Sequence, residues 1–181
     1  RFITVDPQYS KFIEWQYKHL HEEEHVVRGA HPVKYCPQCE NPVGDHDLLE
    51  GEKAEIIKFT LVLFSWNGAR IPCATLRPET IYGVTNLWVN PDVTYVRVTL
   101  DGEEWILSRE AAAKLALQDH DVSVGEEIPG TVLVDQTVSH PLCGDVPVLP
   151  ASFVDPDMGT GLVMSVPAHA PFDYIALRDL Q

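Results

Sequence analysis

The sequence predicts an α+β domain, a compact β-barrel-like arrangement of short strands with flanking helices. Three observations predict it. From residue 55 onward, β-branched and aromatic runs of strand length alternate with Gly/Pro turns. Two dipeptides, Asn67-Gly68 and Asp101-Gly102, carry the chemistry of tight hairpin turns. Long helical periodicity is confined to the N-terminus, the stretch after Ser108 and the C-terminal end.

Asp6-Pro7 suits a helix start, and Tyr9, Ile13, Gln16, Tyr17 and Leu20 recur near helical spacing. The expected helix covers about 7–25, with Gly29 as its stop. Residues 31–52 are rich in Pro, Gly and Asp and read as a loop or small knob. The texture changes near 55, so we divide the chain into a helix and connecting segment (1–54) and a β-rich core (55–181) within one overall domain. In the core, "EIIKFTLVLFSW" (55–66) and "ARIPCAT" (69–75) form one hairpin, and "TYVRVTL" with "EEWIL" (94–107) form another. Ser108 caps a helix through "REAAAKLALQ". "GTVLVDQTV", "PVLPASFV" and "GLVMSVP" read as further strands, the last buried on both faces, and a closing helix contains Phe172, Ile175, Ala176 and Leu180.

Composition excludes several classes. The chain has 181 residues, 45% of them hydrophobic, enough for a real core. No apolar run approaches the roughly 20 residues of a membrane-spanning helix. A net charge of −14 argues against a broad phosphate-tracking surface, although a pocket for a nucleic-acid end needs only a few local donors. The N-terminus has neither signal-peptide character nor an initiator Met, so an excised piece of a cytoplasmic protein with reduced thiols is expected.

Four groups of residues carry candidate chemistry. In "CATLRPETIYGVTN" (73–86), Thr75, Arg77 and Thr80 crowd a strand-to-helix turn begun by Pro78. Helix N-termini present N–H groups to anions, but capping alone explains the threonines, and generic chemistry favours that plainer role. In "GTGLVMSVPAHAPFDY" (159–174), His169 and Asp173 stand where a strand hands over to a helix. There, Asp173 either complements the helix dipole or binds an ammonium, and His169 is either a surface group or a hydrogen-bonding group at a pocket rim. A Ser165-His169-Asp173 triad is rejected, because Pro167 breaks the helix that would align it and no G-x-S-x-G elbow exists. The "GTG" at 159–161 is no dinucleotide fingerprint. Cys36 and Cys39 have zinc-knuckle spacing, with His46 a candidate third ligand and Asp45, Asp47 or a residue outside this stretch of chain a candidate fourth; two free thiols in a turn is the alternative.

Taken in order, "DPQYSKFIEWQYKHL", "VKYCPQCENPVGDHD", "TLRPETIYGVTNLWVNP" and "GTGLVMSVPAHAPFDY" resemble the editing insertion of leucyl-tRNA synthetases, over nearly the whole chain. The archaeal or eukaryotic cytosolic type fits best. "TLRPET" and the "GTG…VP.H…DY" pattern are shared with isoleucyl and valyl enzymes and establish a class Ia editing domain; "RPETIYGVTN" and "VPAHAPFDY" favour leucine.

The resemblance implies post-transfer editing, hydrolysis of the ester joining a noncognate amino acid to the 3′-terminal adenosine of tRNA(Leu). It implies that Asp173 anchors the substrate ammonium and that Thr80 sterically rejects leucine. Thr75 and Arg77 would line the threonine-rich side, Met164 and Val166 would form a side-chain wall, and His169 would sit beside the terminal ribose. Ala170 stands where bacterial relatives carry a second Asp, so no carboxylate role passes to that position. No cofactor is implied for editing. ATP and Mg would serve only the full-length synthetase, whose body would be the partner in cis. The chain lacks HIGH and KMSKS and is not expected to aminoacylate. Two rivals remain at this point, an isoleucyl- or valyl-specific editing domain and a zinc-dependent nucleic-acid-binding module.

Overall fold

The computed structural model describes residues 3–29, 33–36, 38–44, 47, 57–118 and 120–180. The chain divides into two compact units, 1–52 and 53–181.

In the first unit, α1 (Pro7–Glu22) begins with Pro7 in its first turn, and Asp6 occupies the N-cap position without a side-chain capping bond. The helix stops earlier than expected, and Gly29 is not the reason. Glu24 takes a left-handed φ of 59°. The Glu24 N–H then reaches the His21 carbonyl at 3.2 Å and the His25 N–H reaches the Leu20 carbonyl at 2.9 Å. That pair of bonds is the Schellman termination, and it satisfies carbonyls the helix would otherwise leave open. Beyond it, β1 (Tyr35–Cys36) and β2 (Asn41–Pro42) make a two-residue antiparallel ladder, the small knob anticipated for this segment.

The second unit is built on β3 (Thr60–Trp66), β4 (Ala69–Thr75), β5 (Asn86–Val89), β6 (Thr94–Leu100), β7 (Glu103–Ser108), β8 (Val122–Pro129), β9 (Thr137–His140), β10 (Gly144–Pro150) and β11 (Val163–Ser165). These form one nine-stranded sheet in the order β11-β5-β10-β9-β3-β4-β7-β6-β8. The α+β class is as expected. Among the described residues no pairing joins β11 to β8, so the sheet does not close into a barrel.

Both anticipated hairpins form, with Asn67 and Gly68 at φ 46° and 79° and Asp101 and Gly102 at 49° and 89°. Those positive angles match the right-handed twist of the flanking strands. Two parallel pairings, β4 with β7 and β10 with β5, make the sheet mixed.

Several elements of this unit depart from the sequence reading. The first hairpin strand begins at Thr60, with 57–59 outside it, and residues 55 and 56 of the expected strand lie outside the described residues. The helix after Ser108, α2 (Arg109–Leu115), ends three residues short of Gln118; Ser108 caps it as expected, its Oγ accepting the Ala111 N–H at 3.1 Å. "GTVLV" is not a strand: Gly130–Leu133 forms a single helical turn, α3, and only Thr137–His140 is extended. The reason is a contact with a distant part of the chain. A Cβ at Gly130 would collide with the Asn90 carbonyl, so the chain passes hard against the β5–β6 connection, and the Gly130 N–H bonds the Val93 carbonyl at 2.9 Å. Finally, β11 lies at an edge of the sheet with Val163 exposed, so it is not buried on both faces.

Phe64, Ile71, Leu87, Tyr95, Ile106, Leu107, Leu133 and Val138 are almost wholly buried in the main apolar cluster. A second cluster gathers Trp88, Ala151 and Val154 against Leu149 and against Ala176 and Leu177 of α4 (Pro171–Asp179). No described helix is long and apolar enough to cross a membrane.

Candidate functional site

Two segments meet at the edge of the sheet. The first is a 3-10 turn, Pro78–Gly83, that follows β4. Thr75 ends the strand, and its Oγ1 accepts the Arg77 N–H at 3.0 Å, bending the chain over. Pro78 fixes φ in the first turn. The Thr80 hydroxyl donates to the Arg77 carbonyl at 2.7 Å, and the residue is 6% exposed. A β-branched side chain has few rotamers, and tying back its hydroxyl leaves Thr80 one. The turn's amides are mostly committed: Arg77 N–H to Thr75, and Thr80 N–H to the Arg77 carbonyl at 3.1 Å.

The second segment is β11 and the approach to α4. The Thr85 N–H donates to the Ser165 carbonyl at 3.1 Å, tying the end of the 3-10 turn to this strand. Val166 packs against the turn so closely that a Cβ at Gly83 would lie 3.3 Å from Val166 Cγ1. Asp173, in the first turn of α4, is 5% exposed. Its Oδ1 accepts the Trp88 indole N–H at 3.0 Å, and its Oδ2 accepts the Val166 backbone N–H at 2.7 Å. The carboxylate therefore clasps β5, the end of β11 and α4 together. An ionised carboxylate accepts at about four lone-pair positions, so each oxygen keeps acceptor capacity.

The rim is polar. Arg77 Nε donates to Glu79 Oε1 at 3.1 Å on the exposed face. Glu79 is held below the usual carboxylate range by its own backbone N–H first, then by the Arg77 guanidinium, with a smaller contribution from His169. His169 is exposed, and the two segments are joined through the Gly83–Val166 contact and the Thr85–Ser165 bond.

The anticipated site residues are thus distributed unevenly. Thr75, Arg77 and Thr80 share one turn; Val166, His169 and Asp173 share the facing segment. Met164 belongs to the main core, opposite Leu87 in the ladder, while Val166 makes the contact with the turn. Ser165 is buried, within 3.4 Å of the Thr85 hydroxyl. The "GTG" stretch is structural: the Thr160 hydroxyl donates to the Pro72 carbonyl at 2.6 Å, and Gly161, at φ 72°, passes against Ser108.

Two residues of the arrangement escaped sequence reasoning. Trp88 lies 85 positions from Asp173, and His140 donates to the 3-10 turn from 59 positions away. A buried indole needs a partner for its N–H, which is the one signal that pointed toward the first. A depression of about 320 Å³ lined by Ser65, Gly68, Ala69, Arg70, Glu103 and Glu104 sits at the opposite end of the β3–β4 hairpin from Thr75.

In the first unit, the Cys36 thiol is lowered by the backbone N–H and then the thiol of Cys39, and by the Gln38 N–H; the Cys39 thiol is raised by Cys36. His46 and Asp45 lie outside the described residues. Among the described residues no three His, Cys, Asp or Glu side chains gather in a metal-binding group.

Comparison with known proteins bears directly on this site. The family model described as "Leucyl-tRNA synthetase, editing domain" matches residues 54–178, which contain both facing segments but not Cys36 and Cys39. A leucine–tRNA ligase of Methanosarcina barkeri is 56% identical over 185 residues, covering 99% of this chain and 19% of that protein. One from Methanocaldococcus jannaschii is 50% identical over 194 residues, covering 99% of this chain and 21% of that protein. The chain thus spans about a fifth of the length of these curated relatives.

Among solved structures, GlLeuRS-CP1 is 38% identical with a TM-score of 0.59, covering 64% of this chain and 47% of that one. The cytosolic leucyl-tRNA synthetase editing domain of P. knowlesi shares the fold at 21% identity, with a TM-score of 0.59 over 67% of this chain and 62% of that one. The leucyl family, not the isoleucyl or valyl one, is therefore the right assignment. This chain belongs to the leucyl-tRNA synthetase editing-domain family.

Proposed function

We propose that this chain performs post-transfer editing: it hydrolyses the ester between a noncognate amino acid and the 3′-terminal adenosine of tRNA(Leu), and spares the leucyl ester. The observation that best supports this is the joining of two segments of opposite character. One presents a tethered, β-branched Thr80, and the other a buried carboxylate at Asp173. An amine held by the carboxylate fixes the substrate backbone, so a larger side chain meets a wall that cannot turn aside.

The physical need is general. A synthetic site separates amino acids differing by one methylene by only about 1–3 kcal/mol. A second site removes the errors if it excludes the correct product by a clash.

In the proposed reaction water attacks the ester carbonyl carbon. The new bond is water oxygen to carbonyl carbon, the bond to the ribose oxygen breaks, and the water proton passes to that departing oxygen. The substrate's ammonium, on Asp173, and a ribose hydroxyl beside His169 orient the water. The Thr75 hydroxyl, which accepts from Arg77, keeps its own proton to donate to the substrate. The Arg77 amide is occupied by Thr75 and takes no part as an oxyanion donor. Arg77 offers its guanidinium to the tRNA end, and Val166 supplies the apolar wall, with Met164 packed behind it. Ser165 is buried and takes no covalent role. ATP and Mg belong to the synthetic half of a longer enzyme, acting in cis in the cytoplasm, and zinc on Cys36 and Cys39 would be structural.

The test is deacylation in a synthetase carrying this domain. Noncognate aminoacyl-tRNA(Leu), leucyl-tRNA(Leu), and mischarged tRNA(Ile) and tRNA(Val) are compared. Rapid cleavage of the first alone is expected. Equal cleavage of leucyl-tRNA(Leu), or an acyl-enzyme trapped on Ser165, contradicts the proposal.

A further inference from the structure

The 3-10 turn is held from a side that its own sequence does not reveal. His140, the last residue of β9, is 6% exposed and lies edge-on to Phe64 with ring centroids 5.3 Å apart. Its Nδ1 accepts two backbone N–H groups, from Leu142 at 3.0 Å and Cys143 at 2.9 Å. Two donors on one ring nitrogen fix the tautomer: Nδ1 holds the lone pair and Nε2 holds the proton. That proton is directed at the Ile81 carbonyl, 3.0 Å from Nε2. Ile81 follows Thr80 directly, and its carbonyl also receives the Val84 N–H at a long 3.4 Å.

The ring thus makes three hydrogen bonds, two that shape the β9–β10 corner and one that crosses to the turn carrying Thr80. A six-residue 3-10 turn has poor internal hydrogen-bond geometry and borrows its rigidity from outside. Thr75 fixes its start and Ser165 fixes its end. His140 fixes its middle.

We propose that His140 is a positioning residue for substrate discrimination: it holds the Ile81 carbonyl, and through it the Thr80 side chain, at the depth that turns leucine away. The inference rests on the reading of Thr80 given above. A sieve that works by collision is sensitive to small displacements of the colliding group, whereas capture of the ammonium by Asp173 is not. Loss of the tether should therefore relax discrimination more than it slows hydrolysis of a noncognate ester.

Two substitutions separate this from a merely structural role. His140→Gln can place an N–H near the position of Nε2 and keep the tether, while giving up the acceptor at the corner. His140→Asn can keep an acceptor near the position of Nδ1, while giving up the reach to Ile81. Both are made in a synthetase carrying this domain, beside Thr80→Ala. The readouts are melting temperature and the ratio of noncognate to leucyl ester hydrolysis on tRNA(Leu).

The expected result is a ratio lowered about tenfold in His140→Asn, in the direction of Thr80→Ala, and a ratio kept within about twofold in His140→Gln, whatever their melting temperatures. A wild-type ratio in His140→Asn, with Thr80→Ala relaxed, overturns the role of His140 alone. Equal losses in Asn and Gln that track melting temperature overturn it as well. An unchanged ratio in Thr80→Ala overturns the sieve itself, and this inference with it.

Discussion

Replacing Asp173 by Asn tests the buried clasp independently of any catalysis. The carboxylate receives two N–H donors, Trp88 Nε1 at 3.0 Å and Val166 N at 2.7 Å, with 5% of the residue exposed. An amide of the same shape carries one acceptor and one NH2. Whichever way it turns, the NH2 faces one of the two N–H groups. A hydrogen bond to a charged acceptor contributes about 1.5–3 kcal/mol, and a buried donor left without a partner costs about 1–3 kcal/mol. The two overlap, since both describe one lost interaction, so Asp173→Asn should destabilise by about 1.5–3 kcal/mol.

The partner substitution is Trp88→Phe, which removes one donor. In that background the Asn amide can aim its NH2 at the vacated side and its oxygen at Val166, so the cost of Asp173→Asn should fall by about 1–2 kcal/mol. Urea unfolding of the four proteins supplies the cycle, and it cancels the packing loss at position 88 that is common to both arms. A cost below about 0.5 kcal/mol in both backgrounds would refute the clasp, since an exposed carboxylate behaves that way.

Two further outcomes follow from packing and thiol chemistry. Gly161→Ala should cost about 3 kcal/mol or more, because at φ 72° the new Cβ falls on Ser108 Cβ and lies 2.7 Å from the Ser108 Oγ that caps α2. Gly144→Ala, at φ 85° with nothing within 4 Å, should cost only about 1–2 kcal/mol of backbone strain. Equal unfolding midpoints for the two variants would contradict this. Burial pushes the Cys73 thiol up and away from its reactive form, so iodoacetamide near neutral pH should spare it until denaturant is added. Cys36, lowered by Cys39, should react ahead of Cys39; peptide mass spectrometry as a function of time and pH checks the order, and early labelling of Cys73 would contradict the burial argument.

Local chemistry made the hairpins and the α2 cap legible in the sequence. Asn67-Gly68 and Asp101-Gly102 accept positive φ at both central positions, and Ser108 needs only its own hydroxyl to cap α2. Features set by distant neighbours were not legible. "GTVLV" has the composition of a strand, yet a close approach to the Asn90 carbonyl winds Gly130–Leu133 into a helical turn. "GLVMSVP" alternates poorly between apolar and polar residues, yet β11 occupies an edge, a matter of strand order that composition does not encode.

The site divides in the same way. Thr75, Arg77 and Thr80 announce a turn because their bonds span two or three residues. Asp173 was legible as a first-turn helix acid, but its grip on Trp88 depends on how β5 and α4 come together. His140 had no local signal at all, because its role is defined by a carbonyl on another element.

In the proposed function a fixed Thr80 side chain refuses leucine. The most direct measurement is leucyl-tRNA(Leu) hydrolysis by Thr80→Ala beside the unaltered enzyme, with a noncognate ester as control. Thr80→Ala should cleave the leucyl ester at a rate approaching the noncognate one, while the noncognate rate changes little. A variant that cleaves the noncognate ester normally and still spares leucine would contradict it.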